Sequence, residues 1–211
     1  MAPIFKYAAM SRRAALSAAA LASMAVLAGC SAGGAGGEVE GDMAKGAPEG
    51  AKVTVVEYAS VTCGHCATWN EEVWPEFKTK YVDNNKVRFV FREFPTPPAE
   101  VAAAGFLLAR CAGEDRYFQV IEEIMASQRE WQQGVPPAAT LSRIATSVGL
   151  SEEEYRTCVT DPEALAALEG RIQSARSEGV TATPTFFVNG TRVPNSSMEA
   201  LSAAVDAELA K

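Results

Sequence analysis

The feature that most restricts the fold of this 211-residue sequence is Cys63-Gly64-His65-Cys66, a pair of cysteines two residues apart where a strand pattern meets a helical one. Lys52-Val53-Thr54-Val55-Val56-Glu57-Tyr58-Ala59 has the β-branched and aromatic content of a strand. From Ala67 to about Asp83 the apolar Trp69, Val73, Trp74, Phe77 and Tyr81 recur at helical spacing, and Pro75 is expected to end or kink that helix. A thiol at a helix N-terminus meets unpaired N–H groups and the positive end of the helix dipole, both of which stabilise a thiolate. Cys63 is therefore expected to be the activated, nucleophilic thiol. His65, the single histidine, would add a donor or a positive charge beside it, and Cys66, one turn further in, would be the buried resolving thiol. Other uses of the pair fit less well. Structural zinc needs two more ligands, haem attachment needs histidine where Ala67 stands, and a structural disulfide across two residues is strained.

The rest of the chain frames this unit. Val87 to Phe94 reads as a second strand, parallel to the first across the helix. Between Pro98 and Gly179 only helical segments follow: Glu100 to Ala112, Asp115 to Trp131 and Ala138 to Val148 come first. A further helix opens on a Ser151-to-Glu154 capping box, and another is capped by Asp161-Pro162 and closed by Gly179. Thr185 to Val188 and Arg192-Val193 form a hairpin about Asn189-Gly190, and a last helix runs from about Ser197 to Ala210. Too few strands flank the helices to build two sheets. The expected class is α/β: a thioredoxin-like fold over 51–211 with a helical block inserted at about 98–179.

Ahead of that domain, residues 1–29 read as an export signal: a positive start, an apolar stretch from Ala14 to Gly29, and then Cys30. The stretch is short for a membrane span. Leu27-Ala28-Gly29-Cys30 resembles the bacterial lipoprotein cleavage box, which would make Cys30 an acylated first residue. Ser11-Arg12-Arg13-Ala14-Ala15-Leu16 resembles a twin-arginine signal, with the general export route as the alternative. Residues 30–50 are glycine-rich, lack periodicity and read as a flexible tether. The signal carries Lys6, Arg12 and Arg13 and no acid, so its loss takes the net charge from −7 to −10. A domain that acidic, with no basic stripe, excludes nucleic acid as a partner.

Three further features bear on the site. Glu57 interrupts an apolar strand and could shuttle protons to the inner thiol, or could lie on a surface edge. Pro184 precedes the strand Thr185 to Val188, where a cis turn at a strand start is one option. Cys111 and Cys158 are the remaining cysteines, and an oxidising compartment favours their pairing as a structural disulfide over two independent buried thiols.

Val55-Val56-Glu57-Tyr58, Cys63-Gly64-His65-Cys66, Phe91-Arg92-Glu93-Phe94-Pro95 and the run Gly179 to Gly190 together resemble the DsbA-like family of thiol–disulfide oxidoreductases. The resemblance extends from about Val53 to the C-terminus. It implies a catalytic dithiol at Cys63 and Cys66, a cis-proline loop at Thr183-Pro184 and a buried acid at Glu57. This chain departs from the best-known oxidase in its Gly-His between the cysteines together with Thr before the proline. The implied activity is disulfide formation in secreted or periplasmic proteins, with isomerase or reductase as the runner-up and a metal-binding chaperone behind them. Partners would be exported clients with free thiols, a membrane redox partner that re-oxidises the dithiol, and the membrane itself through the lipid. A monomer in the cell envelope is expected, without cofactor or metal.

Overall fold

A computed structural model describes Val39 and residues 41–211; the export signal, Cys30 and most of the tether lie outside the described residues. The first described strand, β1 (Met43–Gly46), corrects the expected tether, which was drawn through residue 50. It pairs antiparallel with the edge of the sheet, so the ordered domain starts earlier than its composition suggests. Short, glycine-flanked strands give little periodicity to read, and the pairing is supplied by the neighbouring strand.

Strand β2 (Thr54–Ala59) leads through the cysteines into α1 (Gly64–Glu72), then α2 (Trp74–Phe77) and a π-helical turn at Lys78–Val82. The break at Val73 places Pro75 in the first turn of α2, where its missing N–H costs nothing. Strand β3 (Arg88–Glu93) runs parallel to β2. The inserted helices are α3 (Ala99–Cys111), α4 (Glu114–Ala126), α5 (Gln128–Gln132), α6 (Pro137–Ser147), α7 (Glu152–Val159) and α8 (Pro162–Ser177). Ser151 and Glu154 form the expected capping box, and Asp161 accepts from the Ala164 amide at 2.7 Å. Strands β4 (Thr185–Val188) and β5 (Thr191–Arg192) join at Asn189-Gly190, whose positive φ values of 44° and 78° suit a primed hairpin turn. Helix α9 (Met198–Leu209) closes the chain. The sheet order is β1-β3-β2-β4-β5. Among the described residues no helix is long and apolar enough to cross a membrane.

Period-two alternation puts both sheet faces into core. Val55, Ala59, Phe89, Phe91, Phe186 and Val188 face the larger cluster with α1 and the insertion, whereas Val56, Tyr58, Val90 and Phe187 face the smaller one. Adjacent charges at the end of β3 follow the same alternation. Arg92 points to the smaller face, donating to both Asp42 oxygens at 2.9 and 2.8 Å and to Tyr58 Oη at 2.7 Å, and Tyr58 in turn bonds Glu178. Glu93 points to the larger face, where it accepts from Arg110 at 2.6 Å, Arg171 at 3.0 Å and Tyr117 Oη at 3.0 Å. Arg110 also reaches the Gly41 carbonyl. The two clusters thus fasten the start of the domain and helices α3 and α8 to one end of the sheet.

Cys111 and Cys158 are joined in a disulfide with Cα atoms 6.4 Å apart, linking α3 to α7. The bridge closes a separation of 47 residues, for which chain entropy gives roughly 4 kcal/mol as an upper figure. The double substitution Cys111→Ala/Cys158→Ala is therefore expected to lower unfolding stability by about 2–4 kcal/mol in urea melts. Mass mapping of non-reduced protein should recover the Cys111–Cys158 peptide, and two free thiols there would remove the bridge from the account. Glu93→Gln leaves Arg110 and Arg171 sharing no buried carboxylate and should cost about 3 kcal/mol by the same measurement. An unchanged urea midpoint would mean that this cluster carries no net stability.

Candidate active site

The dithiol is built asymmetrically because α1 opens after the central strand β2, with one thiol at its N-cap and the other one turn inside it. Cys63 is the N-cap residue of α1, with extended backbone (φ −85°, ψ 120°), and its carbonyl accepts the Ala67 amide at 3.0 Å. Its side chain is half-buried, whereas Cys66, one turn on, is fully buried. Both cysteines are free thiols in this structure. The helix is held down by Trp69, whose ring centroid lies 4.7 Å from that of Phe186 and 6.3 Å from Phe89. Phe186 belongs to the strand that follows the Thr183-Pro184 peptide, which is cis. One aromatic contact therefore joins the first thiol's helix to the loop opposite. Pro97-Pro98 is also cis, a feature the sequence reading did not include.

Cys63 Sγ lies 3.5 Å from the Thr183 carbonyl oxygen. The Cys66 thiol first, and then the backbone N–H groups of Cys66 and His65, hold the Cys63 thiol down to about 5 against the opposing effect of burial, while the Thr183 hydroxyl is buried without a hydrogen-bond partner among the described residues. The helix N-terminus acts here through identifiable donors. His65 contributes its backbone N–H; its side chain is exposed and lines an open cavity of about 540 Å³ with Thr68, Glu72, Thr183 and Pro184. The donor or charge expected at this position was that of the His65 side chain, and the contribution comes from its main chain instead. Burial first, and then the bond to Cys63 and the charge of Glu57, push Cys66 far above the ordinary thiol range.

Glu57 is 3% exposed and shares its face of β2 with Val55 and Ala59, flanked across the sheet by Phe91 and Phe186. This excludes the surface-edge reading. Burial, reinforced by the charge of Cys63, raises its carboxyl to about 8, and one of its oxygens has no hydrogen-bond partner among the described residues. A carboxyl that holds its proton near neutrality beside two sulfurs is equipped to give and take one. The structure therefore gathers Glu57, Cys63, His65, Cys66, Thr183 and Pro184 at one place. Cys111 and Cys158 lie in the insertion, and Cys30 is outside the described residues.

Several residues that support the site carry little or no local sign of that role. Arg92 and Glu93 stood inside a quoted motif, and their signal was a charged pair at the end of an apolar strand. Gln128 gave no signal. It opens α5, is 8% exposed, and its Nε2 donates to the carbonyls of Val61 at 2.7 Å and Cys63 at 3.2 Å. Ser60 and Thr62 fix the other side of the same turn through Thr96: the Thr62 hydroxyl donates to the Thr96 carbonyl, and Ser60 Oγ accepts from the Thr96 amide. Among the described residues no group of three or more histidine, cysteine or acidic side chains is arranged to hold a metal.

Comparison with known proteins agrees with this architecture. A family model described as thioredoxin matches residues 38–207. A curated Rickettsia bellii protein, named a candidate protein-disulfide oxidoreductase, is 35% identical over 169 residues, covering 79% of this chain and 64% of that protein. The chain thus spans about three-fifths of the length of such curated relatives. Among solved structures, Wolbachia pipientis alpha-DsbA1 superposes with a TM-score of 0.74 at 24% identity, over 82% of this chain and 93% of that one. BdbD from Bacillus subtilis, in its oxidised form, gives 0.71 at 22% identity, over 82% and 96%. With the family model matching most of the chain, the chain belongs to the thioredoxin superfamily, and its fold, insertion included, is like that of the DsbA and BdbD structures.

Proposed function

We propose that this protein is an exported thiol–disulfide oxidoreductase that forms disulfides in secreted or periplasmic proteins through Cys63 and Cys66. The observation that carries this reading is the opposed placement of the two thiols, Cys63 half-buried at the N-cap of α1 and Cys66 fully buried one turn on, which holds the first down to about 5 and pushes the second far up. A thiolate stabilised at Cys63 favours the reduced dithiol, and so makes the Cys63–Cys66 disulfide a ready acceptor of electrons. In the oxidised enzyme a client thiolate attacks Cys63 Sγ. The bond to Cys66 breaks, and Cys66, a poor thiolate in its apolar site, takes up a proton for which Glu57 is the adjacent donor. A second client thiolate then attacks the client sulfur of the mixed disulfide. Cys63 leaves as a thiolate, the client has lost two electrons and gained a disulfide, and a membrane redox partner restores the Cys63–Cys66 bond. The half-exposed Cys63 beside an open cavity supports client access, and the cis peptide at Thr183-Pro184 faces the same sulfur. Acylation at Cys30 would keep the domain at the envelope membrane near such a partner, as a monomer on a tether.

The direction is tested by the reduction potential of the purified domain with peptide-oxidation and insulin-reduction assays; a strongly reducing potential would move the assignment to the reductase. Cys63→Ser should abolish disulfide transfer, while Cys66→Ser should accumulate mixed disulfides with clients, seen on non-reducing gels. Cys30→Ala should shift the mature protein from the membrane to the soluble fraction after lysis, and wild type found wholly soluble would end the lipoprotein reading.

The pH dependence of the reduced protein has a definite sign. Between about 5 and the ordinary thiol value of 9.0, the unfolded chain keeps a proton on Cys63 that the folded chain has lost. Stability from this group therefore rises with pH across that window and is lost as pH falls through about 5. Glu57 acts oppositely, because between its ordinary 4.5 and about 8 the folded chain holds the extra proton. Its contribution falls as pH rises. Glu57→Gln removes the fall, so the reduced variant should gain stability on wild type from pH 5 to pH 8 in urea titrations. It should also form mixed disulfides with clients more slowly, since Cys66 leaves without its adjacent proton donor. Parallel stability curves for the two proteins would take Glu57 out of the proton path.

A further inference from the structure

We propose that Gln128, supplied by the helical insertion, is a positioning residue for the redox turn: its side-chain amide holds the carbonyls of Val61 and Cys63 and so sets the first turn of α1 against the Cys63 sulfur. The proposal rests on the function proposed above and adds a residue that the thioredoxin-like part of the chain does not itself provide. Both amide hydrogens are used, one on each carbonyl, at 2.7 and 3.2 Å. The Cys63 carbonyl already accepts the Ala67 amide at 3.0 Å, so Gln128 occupies its second acceptor position. Two carbonyls on either side of one short turn are thereby tied to a single rigid amide. Rotation of the Cys63 peptide would break this part-buried bond and leave a hydrogen of the buried Gln128 amide unpaired, which is the costly kind of loss.

The insertion grips this turn from a second direction. Gly105 of α3 approaches so closely that a Cβ there would lie 2.9 Å from Val61 Cγ2 and 3.3 Å from Ile124 Cδ1. Only glycine allows that approach, and it seats Val61, which is fully buried, between α3 and α5. The helical run is interrupted at Ser127, between α4 and α5. The Ser127 hydroxyl bonds back to the Glu123 carbonyl at 2.8 Å, and Gln128 is thus delivered to the turn at the first position of α5. The geometry being held matters for chemistry. Extended backbone at Cys63 sets its sulfur at the N-terminus of α1, where the backbone N–H groups of Cys66 and His65 favour the thiolate. A freed turn would still contain every catalytic group, with its donors less well aimed.

The test compares wild type with Gln128→Leu, the isosteric Gln128→Glu, and Gln132→Ala as a control on an exposed residue of the same short helix. Thiolate absorbance is titrated in the reduced, full domain. Gln128→Leu should raise the midpoint of the Cys63 titration by about one pH unit, about tenfold in the thiolate-to-thiol ratio. Gln128→Glu, which retains one donor when protonated, should fall between Gln128→Leu and wild type, and Gln132→Ala should match wild type. A folded Gln128→Leu protein with an unmoved midpoint overturns the proposal. Should that variant not fold, wild type decides: the Gln128 side-chain amide resonances must move with the Cys63 titration, and fixed resonances overturn the proposal. Failure of the broader reading looks different, because wild type itself would then lack both the low thiolate midpoint and disulfide transfer.

Discussion

Trp69 packed on Phe186 fixes the distance between the helix that opens at Cys63 and the strand that follows Thr183-Pro184. The redox chemistry depends on that contact, because a helix N-terminus activates a thiol only within its first turn and only if the turn is held still. The same indole stacks over Phe89 of the central sheet, so α1 cannot slide without opening the largest part of the core. Burial of rings of this size contributes several kcal/mol to the domain, and the position of the sulfur is a by-product of that packing.

Around this frame the electrostatics oppose one another. The donors that hold Cys63 as a thiolate place a negative charge near Glu57, whose burial already disfavours its ionised form. Glu57 in turn disfavours a charge on Cys66. Only one negative charge is comfortable in this region, and it resides on the outer sulfur. That arrangement separates the two thiols by depth below the surface: the outer sulfur is suited to carry the charge and the inner one to hold a proton. A protein interior of low effective dielectric is what makes the separation so wide.

The insertion contributes rigidity to a unit that does not end where its own strands end. Arg92 and Glu93, successive residues on opposite faces of β3, draw in Asp42 on one side and Arg110 and Arg171 on the other. Their buried bonds lock the edge strand β1 and the helices α3 and α8 to one end of the sheet. From the anchored α3 Gly105 reaches the turn that carries Cys63, and from the neighbouring α5 Gln128 holds its carbonyl. The Cys111–Cys158 bridge ties α3 to α7 and stiffens the same support.

Much of this was legible in the residues alone because its signals are local. The Cys63-Gly64-His65-Cys66 run between a strand and a helix, the capping box at Ser151, the Asp161-Pro162 start and the Asn189-Gly190 turn each act through neighbours a few residues apart, and each lies where local chemistry puts it. Strand β1 was missed, since four residues carry no periodicity and their partner strand lies more than forty residues away. Glu57 could be singled out as a carboxylate in an apolar strand, but whether it faced core or solvent was a question of register against Phe91 and Phe186. The amide of Gln128 looked like any polar residue on an amphipathic helix. Its role arises because α5 folds back onto a turn 65 residues earlier in the chain. The sequence by itself determined which sulfur starts the helix and which lies inside it, since that follows from spacing. Tertiary structure decided how strongly the two differ, because burial, opposing charge and the aim of each donor exist only once distant segments have packed together.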